Sequence, residues 1–354
     1  MSGPPALNVR PTALDDLPEL GRFLVEGFHA PPGASFAATD VLRWKYFDPR
    51  GLDAGDAPRS LLAREPKLGA IVGHVGVCPA RFRGGALPAD GISTLHMIDW
   101  LSTGGGAGAA LMRRAHRAAD TQYGFGGSAA GRGVIDRGGY GLVALVPVVQ
   151  RVLRPGHRLR DPSHGVLGRL ARAARDVAGI AGRPPRRADK SVELRPVAAF
   201  GPEVNRVLQR SMPRALFTSR GPDFLNHVLR YPRGGVTGFL LDRDGATRGF
   251  AVLSIVARDG GSARQGRVAE CLLDDPDDAD LWLASAAALT AELKRQGADV
   301  AVAFASTPWS ALAFRSAGYA VAHALEFRLR DRSGRLPVTL PFHLTPLEAD
   351  YAYT

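Results

Sequence analysis

The spacing of apolar residues divides the first half of the chain into strands and helices. Leu17, Leu20 and Leu24 recur at helical spacing within residues 14–27, where acidic residues occupy the predicted first turn. The predicted elements are strand 7–10, helices 14–27 and 39–47, strands 60–64, 70–78 and 94–101, helix 109–118 and strand 123–127. This order predicts a mixed α/β (α+β) domain.

The same order begins again in the second half. Residues 193–196 (ELRP) echo residues 8–11 (NVRP). Strands 237–242, 248–257 and 268–273, helix 281–296 and strand 300–304 follow. A constant offset of 179 positions then aligns Phe125 with Phe304, Ser128 with Thr307, Gly139 with Gly318, Tyr140 with Tyr319 and Arg151 with Arg330. Matches in this order, within matching predicted elements, indicate an internal duplication.

A basic segment separates the two halves. Pro and Gly residues punctuate residues 155–190, so we expect domains at 1–154 and 191–354 with a linker between them. Residues 151–190 carry eleven Arg or Lys against three Asp, which supplies most of the net charge of +11. The linker also contains an amphipathic helical pattern. Its apolar stripe is formed by Val166, Leu170, Ala174 and Val177.

Bulk composition narrows the class of protein. The 354 residues suit two packed domains, and no apolar run approaches the roughly 20 residues of a membrane span. The N-terminal sequence MSGPPALNVR lacks the features of a signal peptide, and Cys78 and Cys271 stand in no metal-ligand spacing. No nucleic-acid-binding motif accompanies the basic charge. We therefore expect a cytoplasmic protein with no metal, no membrane partner and no nucleic-acid partner.

A glycine loop, TGGGAG at residues 103–108, is the feature richest in chemistry. A predicted strand leads into it and a predicted helix follows, so free backbone N–H groups and the positive helix end converge on one spot. Glycines let the backbone approach a phosphate without interference from Cβ, which makes a pyrophosphate the suitable ligand. No Gly-Lys-Ser/Thr follows, so the loop is not a P-loop. The alternative is a Gly/Ala-rich surface loop before an ordinary helix.

The loop resembles the Q/R-x-x-G-x-G/A motif of the GNAT (N-acetyltransferase) superfamily. Gly139-Tyr140 is similar to the late element of that family, and the resemblance covers about residues 5–155 and, in degraded form, 191–330. It implies two tandem GNAT-like domains, each with a mixed, mostly antiparallel sheet flanked by helices. It also implies that acyl-CoA is the co-substrate. The residues that would hold it are Leu101, Thr103, Gly104, Gly105, Gly106, Ala107, Gly108, Ala109 and Ser128.

Two residues depart from the family pattern, and the second half departs further. Thr103 replaces the usual Gln or Arg, and Ile135 replaces the tyrosine that often protonates the CoA thiolate. Where the second half would carry its glycine loop, residues 272–282 read LLDDPDDADLW. Five aspartates there would repel a pyrophosphate. We expect that only the first half binds the donor, while the second half walls the substrate cleft.

The strand before the glycine loop supplies the candidate bases. Asp99 is the first choice, because a half-buried site would raise its pKa toward neutrality. His96 is the alternative, with an ordinary pKa of about 6.5. Strand alternation places the two on opposite faces, so only one of them would meet the substrate.

Aromatic residues near this strand are candidates for the acceptor site. Trp44 and Tyr46 lie on predicted helix 39–47, and Trp100 follows Asp99. Core packing is the favoured alternative for Trp44. Near the C-terminus, Glu348, Asp350 and Tyr351 could reach back to an acceptor amine, although a solvated tail is the favoured interpretation.

The linker has three interpretations in this framework. The first is a solvated helix packed on its apolar stripe. The second is an Arg face that docks an acidic acyl-carrier protein or the 3′-phosphate of CoA. The third, a helix at a membrane surface, ranks last because the stripe has no aromatic residues.

The function predicted from the sequence is transfer of an acyl group from acyl-CoA, or from an acyl-carrier protein, to a primary amine of a small molecule, sugar or peptide. Two alternatives stay open. One is an aminoacyl-tRNA-dependent transferase of related double fold, against which the glycine loop counts. The other is a sensor or scaffold that binds CoA without turnover, which Ile135 favours.

Overall fold

The computed structural model describes residues 7–50, 58–103, 106–127, 135–218, 220–258, 263–337, 339–349 and 352–353. The helices are α1 (Leu17–Gly27), α2 (Thr39–Tyr46), α3 (Ala107–His116), α4 (Val166–Ala181), α5 (Glu203–Ser211), α6 (Pro222–Leu229), α7 (Ala279–Arg295) and α8 (Pro308–Ser316). The strands are β1 (Asn8–Pro11), β2 (Ser60–Arg64), β3 (Ile71–Arg83), β4 (Ile92–Ser102), β5 (Thr121–Phe125), β6 (Gly141–Val152), β7 (Glu193–Val197), β8 (Phe217–Thr218), β9 (Val236–Arg243), β10 (Ala246–Arg258), β11 (Ala263–Leu273), β12 (Val300–Phe304) and β13 (Ala320–Asp331).

One continuous mixed sheet runs through both halves. Its strand order is β1-β2-β3-β4-β5-β13-β6-β12-β11-β10-β9-β7, and β8 pairs with β3 beside this path. Most neighbours are antiparallel, but β4 and β5 are parallel, and so are β11 and β12. A helix connects each parallel pair, α3 in the first half and α7 in the second, as a parallel crossover requires.

The two halves are joined because each contributes its last strand to the other. Strand β6 of the first half pairs with β12, and strand β13 of the second half pairs with β5. Strands β6 and β13 then pair with each other at the centre of the molecule. The two predicted sheets therefore form a single sheet. In this sheet the last strand of each half lies between two strands of the other half.

The register of these strands obeys the offset of 179 residues found in the sequence. Val146 pairs with Leu325, its own equivalent, so a pseudo-twofold axis passes through that pair. Phe125 pairs with Phe327, and the equivalent positions Phe304 and Val148 pair in the same way. The predicted internal duplication is confirmed at the level of backbone pairing.

The equivalent residues also have equivalent structures. Gly139 and Gly318 both adopt left-handed conformations, with φ of 80° and 87°. The tyrosine that follows each glycine is buried. The hydroxyl of Tyr140 donates to Gln122 Oε1, and that of Tyr319 is hydrogen-bonded to Thr290 Oγ1.

The linker helix α4 does not have the packed apolar stripe of the first interpretation. None of its residues is buried, and the apolar side chains of Val166, Leu170 and Val177 are more than half exposed. The prediction that α4 packs on its apolar stripe is therefore wrong. The helix is held mainly by polar contacts, such as the ion pair between Arg158 and Asp176 at 2.9 Å. Within the described residues, no helix is long and apolar enough to cross a bilayer.

Candidate active site

Strands β4 and β5 diverge near the middle of the first half. Their parallel pairing covers only three positions, from Leu95 opposite Gln122 to Met97 opposite Gly124. Strand β4 continues to Ser102, and over residues 98–102 β3 is its only strand partner among the described residues. This divergence leaves one edge of β4 open beside the loop that follows it.

The glycine loop lies at the end of this open edge. Gly106 has φ of 87° and caps α3 without a side-chain hydrogen bond, so the amides of the first turn of the helix point outward. Open space surrounds the position where a Gly106 Cβ would stand. Gly108 lies closer to the strand, where a Cβ would approach Ser102 Oγ to 2.8 Å.

Four other predicted donor-binding residues lie beside Gly106 and Gly108. Thr103 and Ala109 are exposed, whereas Ala107 is buried under the sheet. The side chain of Leu101 packs against Gly27 of α1, so it is the main chain of Leu101 that faces the opening. Gly104, Gly105 and Ser128 lie outside the described residues.

Asp99 lies in a β-bulge of β4. Asp99 and Trp100 together oppose the single residue Val75, because the pairing steps from Gly76–Ile98 to His74–Leu101. Asp99 adopts φ of 47°, which is uncommon for a residue with a Cβ. The bulge reverses the alternation of side chains along β4.

The carboxylate of Asp99 is tied to α2. It accepts hydrogen bonds of 2.7 Å from both Lys45 Nζ and Tyr46 OH. Burial raises the pKa of Asp99, but the Lys45 ammonium and these hydrogen bonds outweigh burial, so the pKa is lowered overall. The expectation that burial would raise this pKa is wrong, because the sequence did not reveal the ammonium beside it.

His96 faces the same side of the sheet as Asp99. Cys78, its cross-strand partner, packs in the cluster that contains Tyr46 of α2. The expectation that His96 and Asp99 lie on opposite faces is therefore wrong, because the bulge at Asp99 shifts the alternation by one residue.

The imidazole of His96 is buried and stacks on the ring of Tyr123, with centroids 4.6 Å apart. Its Nε2 has no hydrogen-bond partner among the described residues. Burial, reinforced by the charges of Arg50 and Lys45, holds the pKa of His96 well below its ordinary value. The ring is therefore neutral at pH 7, and it borders a pocket of about 20 Å³, which has room for about one water.

A chain of hydrogen-bonded side chains leads to the backbone of the bulge, and it was not predicted. His74 Nδ1 donates to the carbonyl oxygen of Asp99 at 2.9 Å, and burial lowers the pKa of His74 to about 4, so the ring is neutral. His74 Nε2 therefore accepts from Ser60 Oγ at 2.8 Å, and Ser60 Oγ in turn accepts from Thr12 Oγ1 at 2.6 Å. No local sequence pattern marks His74, which follows an ordinary run of strand residues.

The folds of solved proteins match this arrangement across both halves. A GCN5-related N-acetyltransferase from Anabaena variabilis is 11% identical with a TM-score of 0.59, and the match covers 92% of this chain and 73% of that chain. N-myristoyltransferase from Saccharomyces cerevisiae with bound myristoyl-CoA is 12% identical with a TM-score of 0.61, and the match covers 94% and 84%. This chain has a tandem GNAT-like fold. No protein-family model matches its sequence, and no curated protein does either.

The second GNAT-like half uses its acidic loop for structure. Four of the five aspartates lie between β11 and α7, the position that the glycine loop occupies between β4 and α3, and Asp280 lies in the first turn of α7. Asp274 forms ion pairs with Arg210 and Arg248, and Asp278 caps α7 by accepting from Leu281 N. These roles leave carboxylates where the first half presents amides.

The two tryptophans that were predicted to line the acceptor site have different surroundings. Trp44 is buried and stacks on His227, with centroids 4.5 Å apart, and its Nε1 donates to the His227 carbonyl at 3.0 Å. Trp44 thus packs the core between the halves. Trp100 packs near Gly108, on the α3 side of the sheet, and its Nε1 is buried without a partner among the described residues. The Trp100 side chain therefore lies on the glycine-loop side of the sheet, on the opposite face from the Asp99 carboxylate.

The C-terminal segment of the GNAT-like fold is buried at the junction of the halves. Glu348 pairs with Arg220, and its Oε2 accepts from Tyr123 OH at 3.2 Å. Arg220 also donates to Glu270, which accepts from His343 Nε2 at 2.8 Å. The expectation of a solvated tail is wrong for Glu348, because the charge of Arg220 is buried there. Asp350 and Tyr351 lie outside the described residues.

Breaking the Lys45–Asp99 pair is expected to destabilise the fold. Asp99→Asn removes the carboxylate that a buried ammonium contacts, which should cost about 3 kcal/mol of unfolding free energy. In the double variant Lys45→Met/Asp99→Asn, most of that loss should be recovered. Urea unfolding of the wild type, the two single variants and the double variant measures the coupling. Additive effects would contradict a direct interaction.

The buried network predicts the acid sensitivity of the fold. Burial alone would raise the pKa of Glu270, but Arg220 and His343 lower it to about 2. The unfolded state binds a proton first, so this stabilisation is complete above about pH 4.5 and is lost as the pH falls toward 2. Urea unfolding between pH 7 and pH 3 should show a steeper loss for the wild type than for Glu270→Gln. Parallel curves would contradict this role.

Proposed function

We propose that the protein transfers an acyl group from acyl-CoA to a primary amine at the opening between β4 and β5. The observation that carries the proposal is the coincidence, in the first half, of an open strand edge, a glycine loop and the N-terminus of α3. The pyrophosphate of the donor would bind the amides at the start of α3, and its pantetheine arm would lie along residues 98–102. The acidic loop of the second half supports a single donor site per chain.

The reaction is a direct displacement. The amine nitrogen attacks the thioester carbonyl carbon, a C–N bond forms, the C–S bond breaks and CoA leaves as a thiolate, which takes a proton from solvent. The nitrogen loses one proton, which His96 Nε2 accepts directly or through a water in the adjacent pocket. Asp99 is the second candidate for this role.

Asp99 has a further role in this proposal, as a positioning residue. Its carboxylate, held by Lys45 and Tyr46, fixes the bulge in which two residues oppose one. A bulge leaves a backbone group without its ladder partner. An amide freed in this way on the open edge can stabilise the oxyanion that forms on the thioester oxygen.

Donor binding is the first test of the proposal. Isothermal titration with acetyl-CoA, octanoyl-CoA and palmitoyl-CoA, and with acylated carrier protein as the second donor class, should yield one site per chain for at least one donor. Formation of free CoA thiol, followed with a thiol reagent, should then depend on an added amine from a small molecule, sugar or peptide. Absence of binding by every donor would overturn the proposal.

A CoA-binding sensor without turnover is a second candidate function. The observation that favours it is Ile135, whose Cδ1 lies 4.0 Å from the Cβ position of Gly127, close to the end of β5. An apolar side chain there cannot protonate a leaving thiolate. Under this candidate, donor binds but no amine releases CoA from it.

A further inference from the structure

A large cavity lies on the part of the sheet formed by β6, β12 and β13. It has a volume of about 840 Å³, which is within the range of small-molecule sites. Its floor is made by alternate residues of β6, β12 and β13, and most of these are apolar. The floor includes Val148, Val152, Val300, Val302, Phe304 and Leu325.

The basic linker forms the roof of this cavity. Arg158 and Arg172 contribute from the linker, and Arg264 and Arg267 contribute from β11, against the single carboxylate of Asp161. Arg158 is paired with Asp176, and Arg267 bonds Gln265. Arg172 and Arg264 form no ion pair with a described residue. The cavity therefore combines an apolar floor with a net positive rim.

One segment near the C-terminus lines both the cavity and the small pocket that His96 borders. Pro346 lines the large cavity, and the next two residues, Leu347 and Glu348, line the small pocket together with His96. Leu325 lies on β13, which is two strands from β4 in the sheet, or about 10 Å at the usual strand spacing. The Leu325 end of the cavity is therefore the end nearer the proposed reaction centre, and the arginines of β11 lie at the far end.

We propose that this cavity holds the acceptor, and that the acceptor is an amphiphile with a primary amine at one end, an apolar chain, and a carboxylate or phosphate at the other. The inference rests on the proposed acyl transfer. The anionic group lies at Arg172 and Arg264, the chain lies on the valine-rich floor, and the amine extends past Pro346 toward His96.

Three amines of equal chain length test the anionic group. With whichever acyl-CoA binds, 12-aminododecanoate should be acylated with kcat/KM at least about tenfold above that of dodecylamine, and further above that of 1,12-diaminododecane. Arg172→Gln should reduce that preference several-fold. Arg175→Gln, on the same helix but outside the cavity, is the matched control and should leave it unchanged. Equal turnover of the carboxylate and the simple amine would overturn the anionic requirement.

A blocking variant tests the cavity itself. Ala322 is exposed and lines the cavity, so Ala322→Trp should raise KM for 12-aminododecanoate at least about tenfold and leave the donor Kd unchanged. Ala324 is exposed on the same strand outside the cavity, and Ala324→Trp is the control. If the wild type acylates amines but Ala322→Trp changes nothing, the cavity inference fails and the proposed function stands.

A direct binding measurement tests the cavity in the case where no donor binds. If no donor binds, the proposed function fails, and titration of the donor-free protein with 12-aminododecanoate then tests the cavity alone. Binding that Ala322→Trp abolishes supports an amphiphile site there. Absence of binding, or equal binding by both tryptophan variants, overturns it.

Discussion

Gly106→Asp is expected to reduce acyl-CoA affinity at least about 100-fold while the protein remains folded. The substitution adds a negative charge at the N-terminus of α3, where the donor's pyrophosphate would bind. The fold should tolerate it, because open space surrounds the Cβ position, and Asp is among the residues that accept the left-handed φ of 87°. Aspartate is also a favourable helix cap.

Gly106→Asn is the matched control for this prediction. It has the same shape and the same tolerance of a positive φ, but it carries no charge. Its donor affinity should fall much less than that of Gly106→Asp. Isothermal titration with the same acyl-CoA measures both variants, and circular dichroism verifies the fold. If the two variants bind equally well, charge at this helix end does not govern donor binding.

His96→Phe is expected to lower kcat about 100-fold or more and to leave the donor Kd nearly unchanged. The phenyl ring can keep the stack on Tyr123, but it has no nitrogen to take the proton of the amine. Because the pKa of His96 lies well below its ordinary value, the neutral base is present throughout the neutral range. The wild-type rate should therefore show no titration of His96 between about pH 6 and pH 8.

His116→Phe is the control for that loss. His116 is another histidine with a buried Nε2 that lacks a partner among the described residues, but it lies at the C-terminal end of α3, near Tyr140. Its turnover should match that of the wild type. If His96→Phe keeps full turnover, His96 is not the base and Asp99 becomes the candidate. Turnover by the double variant Lys45→Met/Asp99→Asn then tests Asp99.

Much of the fold could be predicted because local pattern and turn chemistry agree with it. The bounds of β2 and β12 are those predicted from their apolar runs, and the glycine that precedes each equivalent tyrosine marked the duplication. The glycine loop was visible because a strand, several glycines and a helix follow one another directly in the sequence. These signals are all local.

The exchange of last strands could not be predicted, because it depends on long-range pairing. Strand β5 pairs with β13, about two hundred residues away, although a hairpin-like pairing with β6 is equally compatible with the alternation of both strands. The choice rests on the packing of two complete halves. The sequence repeat was consistent with either arrangement.

The candidate site was only partly predictable for a similar reason. The residues Asp99 and His96 were found from their position on the strand before the loop, but their surroundings were not. The bulge at Asp99 carries no glycine that would signal a positive φ, and its partner Lys45 is 54 residues away. The network of Arg220, Glu270 and Glu348 unites segments from three parts of the chain, and no motif connects them.

We propose that the first GNAT-like half holds the acyl donor at its glycine loop and that the second half holds none. A crystal structure of the protein with bound acyl-CoA tests this most directly. We expect one donor per chain, with pyrophosphate oxygens about 2.7–3.2 Å from the amide nitrogens at the start of α3 and the pantetheine arm along residues 98–102. A pyrophosphate bound at the acidic loop before α7, or a donor bound away from β4, would contradict it.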